Sequence, residues 1–99
     1  MIKELFKHKF LNKRYIICLT DKFKNKKTDG ECDPPNWKNP RIRINQNLTS
    51  HKALEVCLHE ALHAVNWTLD EEYVDQMAID IAKFLYKMGF GLIEFPQEK

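Results

Sequence analysis

The hydrophobic pattern of this chain changes period near residue 48. Before it, apolar residues fall in short runs of strand type; after it, they recur at helical spacing. Tyr15-Ile16-Ile17-Cys18-Leu19 is a continuous β-rich run and predicts a buried strand. Glu31-Cys32 predicts a brief strand between the Asp29-Gly30 turn signal and the Pro34-Pro35 stop. Arg41-Ile42-Arg43-Ile44-Asn45 alternates polar and apolar residues, so Ile42 and Ile44 should face the core. Its two outward arginines suit a sheet edge. The first twelve residues fit both periods. Ile2, Leu5, Phe6 and Phe10 have helical spacing, while Phe6, His8 and Phe10 alternate; the preferred reading is a short helix or an extended arm packed on the core.

Two helices follow. The first should run from about residue 50 to about residue 66, with Thr49 or Ser50 as N-cap. Leu54, Leu58, Ala61 and Val65 form its main apolar stripe, and Ala53, Val56 and Ala64 extend apolar surface round the other flank. A helix apolar nearly all round is a buried one, so it should lie between the sheet and the second helix. The second starts at Asp70, a good N-cap, with Glu71 and Glu72 at the positive end of the helix dipole. Its stripe is Val74, Ala78, Ile81, Leu85 and Met88, and Gly89 supplies the stop. Gly91 to Phe95 reads as a short extended tail. The short link between the helices favours antiparallel neighbours. The expected fold is α+β: a small, mainly antiparallel sheet packed on two antiparallel helices.

The length of 99 residues sets one domain over 1–99 with a modest core, which a bound metal would help to stabilise. A net charge of +2 in a chain that is 30% charged demands neither a nucleic-acid nor a membrane partner. Lys22, Lys24, Lys26 and Lys27 read as a solvated loop. The three cysteines, an odd count at wide spacing, argue against a disulfide framework. Charged residues break up the N-terminal apolar positions, and no segment has membrane-spanning length. Together these features lead to the expectation of a soluble cytoplasmic protein.

The chemistry concentrates in His59-Glu60-Ala61-Leu62-His63, the pattern H-E-x-x-H. Residues i and i+4 share one helix face, so both imidazoles can reach a single metal ion. Glu60 lies about 100° round the helix from His59, where it can approach a water on that metal without being a ligand. Polar groups in so apolar a helix need partners, because burying them alone is costly. For a third ligand the candidates are Glu71, Glu72 and Asp75. Relative to Val74, Glu71 lies about 60° off the stripe centre, Asp75 about 100° and Glu72 about 160°. Glu71 therefore faces inward best, and Asp75 could accept a hydrogen bond from a ligating histidine. All three also suit the helix dipole as ordinary first-turn acids.

H-E-A-L-H on an apolar helix, an acid opening the next helix and a preceding alternating strand resemble zincin-type metallopeptidases. The likeness is to the small, minimal members among phage and bacterial proteins, near the SprT-like and ImmA/IrrE-like groups, and covers about residues 29–90. The resemblance implies zinc held by His59, His63 and Glu71, with Asp75 supporting a histidine and Glu60 as the base in peptide hydrolysis. It also implies a protein or peptide substrate laid along an edge strand, a place Arg41–Asn45 could occupy, and, for a phage-encoded chain, the host cytoplasm. The short spacing from the second histidine to Glu71 departs from thermolysin-like enzymes, and no zinc-ribbon cysteine pairs follow. The alternative is a non-catalytic, zinc-stabilised protein-interaction domain.

The remaining residues read more plainly. Cys57 points away from the histidines into the core, and Cys32 reads as structural, with a metal ligand or a reactive thiol as the alternatives. Asp33 caps its turn or reaches the site. His8 is a surface residue, Trp37 and Trp67 are lids over the core, and Asp80 makes a buried hydrogen bond. Tyr73, His51 and the arginines are the candidates for stabilising an oxyanion.

Overall fold

Lys3–Phe10, expected as a helix or an arm, is a strand. The computed structural model describes residues 2–25 and 27–91, and this segment is its first strand, β1. It pairs antiparallel with β2 (Lys13–Thr20), and the register shifts between Glu4 and Phe6. That irregularity turns Leu5 into the core, where it is buried, and leaves Phe6 half exposed. A bulge of this kind breaks strict alternation, so the segment imitates helical spacing.

β3 (Gly30–Cys32), β4 (Arg41–Asn45), α1 (Ser50–Val65) and α2 (Glu71–Lys87) complete the fold. The sheet order is β1-β2-β4-β3; β1/β2 and β3/β4 are antiparallel and β2/β4 is parallel. The architecture is α+β, mainly antiparallel, as expected. The position of β4 is not. Arg41–Asn45 lies inside the sheet, and the edge beside α1 is the three-residue β3.

The outward arginines of β4 find partners instead of solvent. Arg43 Nη1 and Nη2 donate to Asp33 Oδ1 and Oδ2 at 2.8 and 3.3 Å, and Arg41 Nη2 reaches Glu4 Oε1 at 3.3 Å. Asp33 also accepts from the Arg41 backbone N–H at 2.9 Å, so one buried carboxylate closes the β3–β4 hairpin. Asp33 thus serves the turn and not the histidines. Cys18, between Glu4 and Arg43 in register, is fully buried on this charged face.

The opposite face packs on α1. Tyr15, Leu19, Ile42 and Ile44 meet Val56 and Ala64 there. α1 lies between the sheet and α2, as its all-round apolarity requires. The stripe that goes deepest is Ala53, Val56, Glu60 and Ala64, not the expected Leu54–Val65 stripe; Val65 is exposed. The small alanines let the sheet approach closely, and that places Glu60 in the interior. Leu48 joins the core edge before the Thr49 N-cap, whose side chain makes no capping hydrogen bond.

α2 is better capped. Asp70 Oδ2 accepts from Tyr73 N–H at 3.1 Å. At the far end Gly89 takes φ +96°, and the Phe90 and Gly89 N–H groups close back on Leu85 and Tyr86 at 2.9 and 3.1 Å, a Schellman stop. Val74, Ala78 and Ala82 are its buried residues, and Met88, expected in the stripe, is exposed. Asp80 is exposed and accepts from Gln76 at 3.1 Å, so its expected buried bond is replaced by a surface one. The expected tail beyond Gly91 lies outside the described residues.

Candidate metal centre

His59 and His63 occupy one face of α1, their ring centroids 4.9 Å apart. Their Nε2 atoms point at each other across 3.2 Å. The turn after Val65 reverses the chain and brings the first residue of α2 against them. Glu71 Oε1 lies 2.8 Å from His59 Nε2, and Glu71 Oε2 lies 2.7 Å from His63 Nε2. One turn further along α2, Asp75 Oδ1 is 3.5 Å from His59 Nδ1. The structure therefore brings together His59, His63, Glu71 and Asp75. Glu72 is exposed.

This donor set fits a zinc ion. Tetrahedral zinc with bonds of about 2.0–2.1 Å sets neighbouring donor atoms roughly 3.3 Å apart. The two imidazole nitrogens already have that separation, and one ligand atom from each of His59, His63 and Glu71 lies within 4.8 Å of the others. Glu71 sits closer, at hydrogen-bond distance, and its largely exposed side chain is free to withdraw. Two histidines and a glutamate are also a donor set of catalytic zinc, whereas structural sites close with four protein ligands. Among the described residues the cluster has three members.

Glu60 is the unusual residue. It is only 6% exposed, yet its carboxylate has no hydrogen-bond or ion-pair partner among the described residues. Burial pushes its pKa up to about 8, and the Glu71 and Glu31 carboxylates add to the rise. A cation between His59, His63 and Glu71 would act in the opposite direction. The carboxylate opens on the groove that also holds His59, His63 and Glu71. Its fit depends on Gly30. A β-carbon at Gly30 would lie 2.9 Å from Glu60 Oε2 and 2.7 Å from Val56 Cγ1.

The groove runs along the free side of β3. Asp29 O and Asp33 N bond to β4, and Glu31 pairs with Arg43. Backbone groups alternate in antiparallel pairing, so the N–H and C=O of Gly30 and Cys32 point away from the sheet.

The other candidates lie elsewhere. His51 stacks on Tyr86 with centroids 4.5 Å apart, and Arg41 and Arg43 are held by carboxylates. Tyr73 is exposed on α2, outside the groove. Trp37 and Trp67 are not core lids: both are exposed, Trp37 beside the groove and Trp67 with its ring 6.1 Å from that of His63. Cys57 packs against the core, as does Cys32, whose thiol donates to Asp33 O at 3.6 Å. His8 is exposed against Phe10. The signal for Gly30 was present in the sequence as a turn glycine; its contact with Glu60 depends on strand pairing that no local pattern reveals.

Comparison with known proteins finds no matching family model, no matching curated protein and no matching solved structure. No helix among the described residues is long and apolar enough to cross a membrane.

Proposed function

We propose that this chain is a zinc-dependent metallopeptidase of minimal zincin type, acting on a protein or peptide. The observation that carries the reading is the isolation of Glu60: a largely buried side chain whose carboxylate, unpaired among the described residues, faces the groove where His59, His63 and Glu71 converge. A structural zinc site would have no use for such a group.

His59, His63 and Glu71 would hold the metal, and Asp75 would orient His59 through Nδ1. Zinc held there would supply Lewis acidity, which lowers the pKa of water toward about 7 and polarises a carbonyl. Glu60 accepts the proton from the attacking water and delivers it to the leaving amine. Its place on the groove beside the two histidines puts it within reach of both transfers. The outward N–H and C=O groups of Gly30 and Cys32 hold the substrate main chain as an added strand. That assigns to β3 the role expected of β4.

The test is elemental analysis joined to a cleavage assay. Protein purified without added metal, then titrated with zinc, should bind one ion per chain and cleave members of a peptide mixture. Failure of any metal to bind, with both histidines titrating as free imidazoles, would remove the proposal.

A further inference from the structure

The groove is lined by charges of both signs. Of its acids, Glu71 and Asp75 lie on the histidines, Asp33 and Glu31 on Arg43, Glu55 on Lys52 at 3.1 Å, and Asp29 accepts from Asn45 at 3.4 Å; Glu60 faces the metal end without a partner among the described residues. Three of its cations are unpaired as well. Lys22, Lys24 and Lys27 line the same groove, and their ammonium groups have no partner among the described residues. They do not sit on a loose tether. Thr20, fully buried, accepts from the Lys22 N–H at 3.0 Å. Asn25 accepts from the N–H groups of Lys27 and Thr28, each at 3.0 Å. Bonds near its two ends thus set the loop, with Lys22, Lys24 and Lys27, at the Gly30 end of β3, just beyond the free backbone edge.

We infer that the groove selects extended peptides bearing acidic side chains where the chain passes the Lys22–Lys24–Lys27 loop. The inference rests on the reading of the groove as a peptide site beside a zinc centre. A peptide pairing antiparallel with β3 runs against it, so residues on Cys32 come first and residues on Gly30 later. The acids then lie C-terminal to the residues bound by β3. A nucleic acid is the less suitable polyanion. The adjoining edge offers paired backbone donors and acceptors, which an added peptide strand satisfies and a phosphate chain does not.

The probe is a displayed library of random ten-residue peptides, selected on the zinc-supplemented Glu60→Gln protein so that binding is read without cleavage. Selected sequences should be enriched in Asp and Glu in their C-terminal third. Each exposed ion pair is worth up to about fivefold. A synthetic peptide of the selected type should therefore bind about tenfold more weakly to the triple Lys22→Gln, Lys24→Gln, Lys27→Gln variant, with the loss largest at low salt. Charge reversal of the same lysines to Glu should turn the selection toward Lys and Arg. That gain shows a folded, functioning groove, which a merely damaged variant cannot imitate. Absence of an acidic bias, or selection of the same sequences by all three proteins, overturns the inference. So does lysine-dependent binding of single-stranded DNA without acidic selection. The peptidase reading fails separately: if wild-type protein with zinc leaves the selected peptides intact, hydrolysis is lost while the charge selection stands.

Discussion

Gly30 and Glu60 are in contact across the interface between β3 and α1, and there is no space between them for a methyl group. Gly30→Ala must therefore push the helix or turn the carboxylate. We expect a loss of stability of about 1–3 kcal/mol, the usual cost of overpacking. Zinc affinity should change little, because the donors come from α1 and α2. Peptide cleavage should fall further than stability or zinc binding. Urea denaturation, zinc titration and a cleavage assay on one sample separate the three; cleavage at the full rate would show that the contact does not position Glu60.

Glu60→Gln keeps the size of the side chain and removes the base. Zinc content should stay at one ion per chain while cleavage drops about 10²–10⁴-fold. The variant should not be less stable than the wild type in zinc-free buffer, since a largely buried side chain whose carboxylate has no partner among the described residues is replaced by an amide.

Asp75→Asn tests the support of His59. Loss of a carboxylate behind a ligating histidine costs about 10–100-fold in metal affinity or activity. Glu72→Gln, one residue from Glu71 but outside the cluster, should leave zinc affinity unchanged. Trp67 offers a direct readout, because its ring lies against His63 and its fluorescence should respond when that imidazole takes up zinc. Equal effects of the two substitutions would contradict the proposed arrangement.

Cys32 predicts a pH dependence of its own. Burial, with Glu60 and Asp33 nearby, pushes its thiol from 9.0 up to about 12. In the folded protein its alkylation rate should still be rising at pH 10, where a free thiol has levelled off. The folded chain keeps a proton that the unfolded chain releases from about pH 9. The native state therefore loses stability as pH rises from there toward about 12. Mass spectrometry of alkylated peptides over a pH series checks the first point, and unfolding midpoints at pH 8 and 11 check the second.

Asp33→Ala should open the β3–β4 hairpin. It removes the acceptor of two hydrogen bonds from the Arg43 guanidinium and of one from the Arg41 N–H, a loss of about 2–3 kcal/mol for charged hydrogen bonds. Thermal unfolding measures it. An unchanged midpoint would mean that the hairpin stands without its carboxylate.

The local parts of this molecule were readable from sequence. The i,i+4 histidines, the Asp70 cap and the placement of Glu71 follow from helical geometry within one hairpin, and all appear in the structure. The departures share another cause. Alternation in Arg41–Asn45 sets which residues face the core, but it cannot tell which strands lie on either side, and β4 lies inside the sheet and not at its edge. In Lys3–Phe10 a register shift at Leu5 mixed two periods that are normally distinct. Along α1, nearly uniform apolarity left the direction of the sheet undetermined, and the alanine-lined flank proved the deeper one.

The division of the site between elements has a consequence for how the chain folds. Every proposed metal donor, with the carboxylate supporting it, lies between His59 and Asp75, in two helices joined by one short link. Contacts so close in sequence form early and at small entropic cost. The pocket of Glu60, by contrast, needs Gly30 delivered by a strand whose pairing spans the middle of the chain. On the proposed reading, a refolding chain would capture its metal before Glu60 is seated, and hydrolytic competence would arrive only when β3 meets α1.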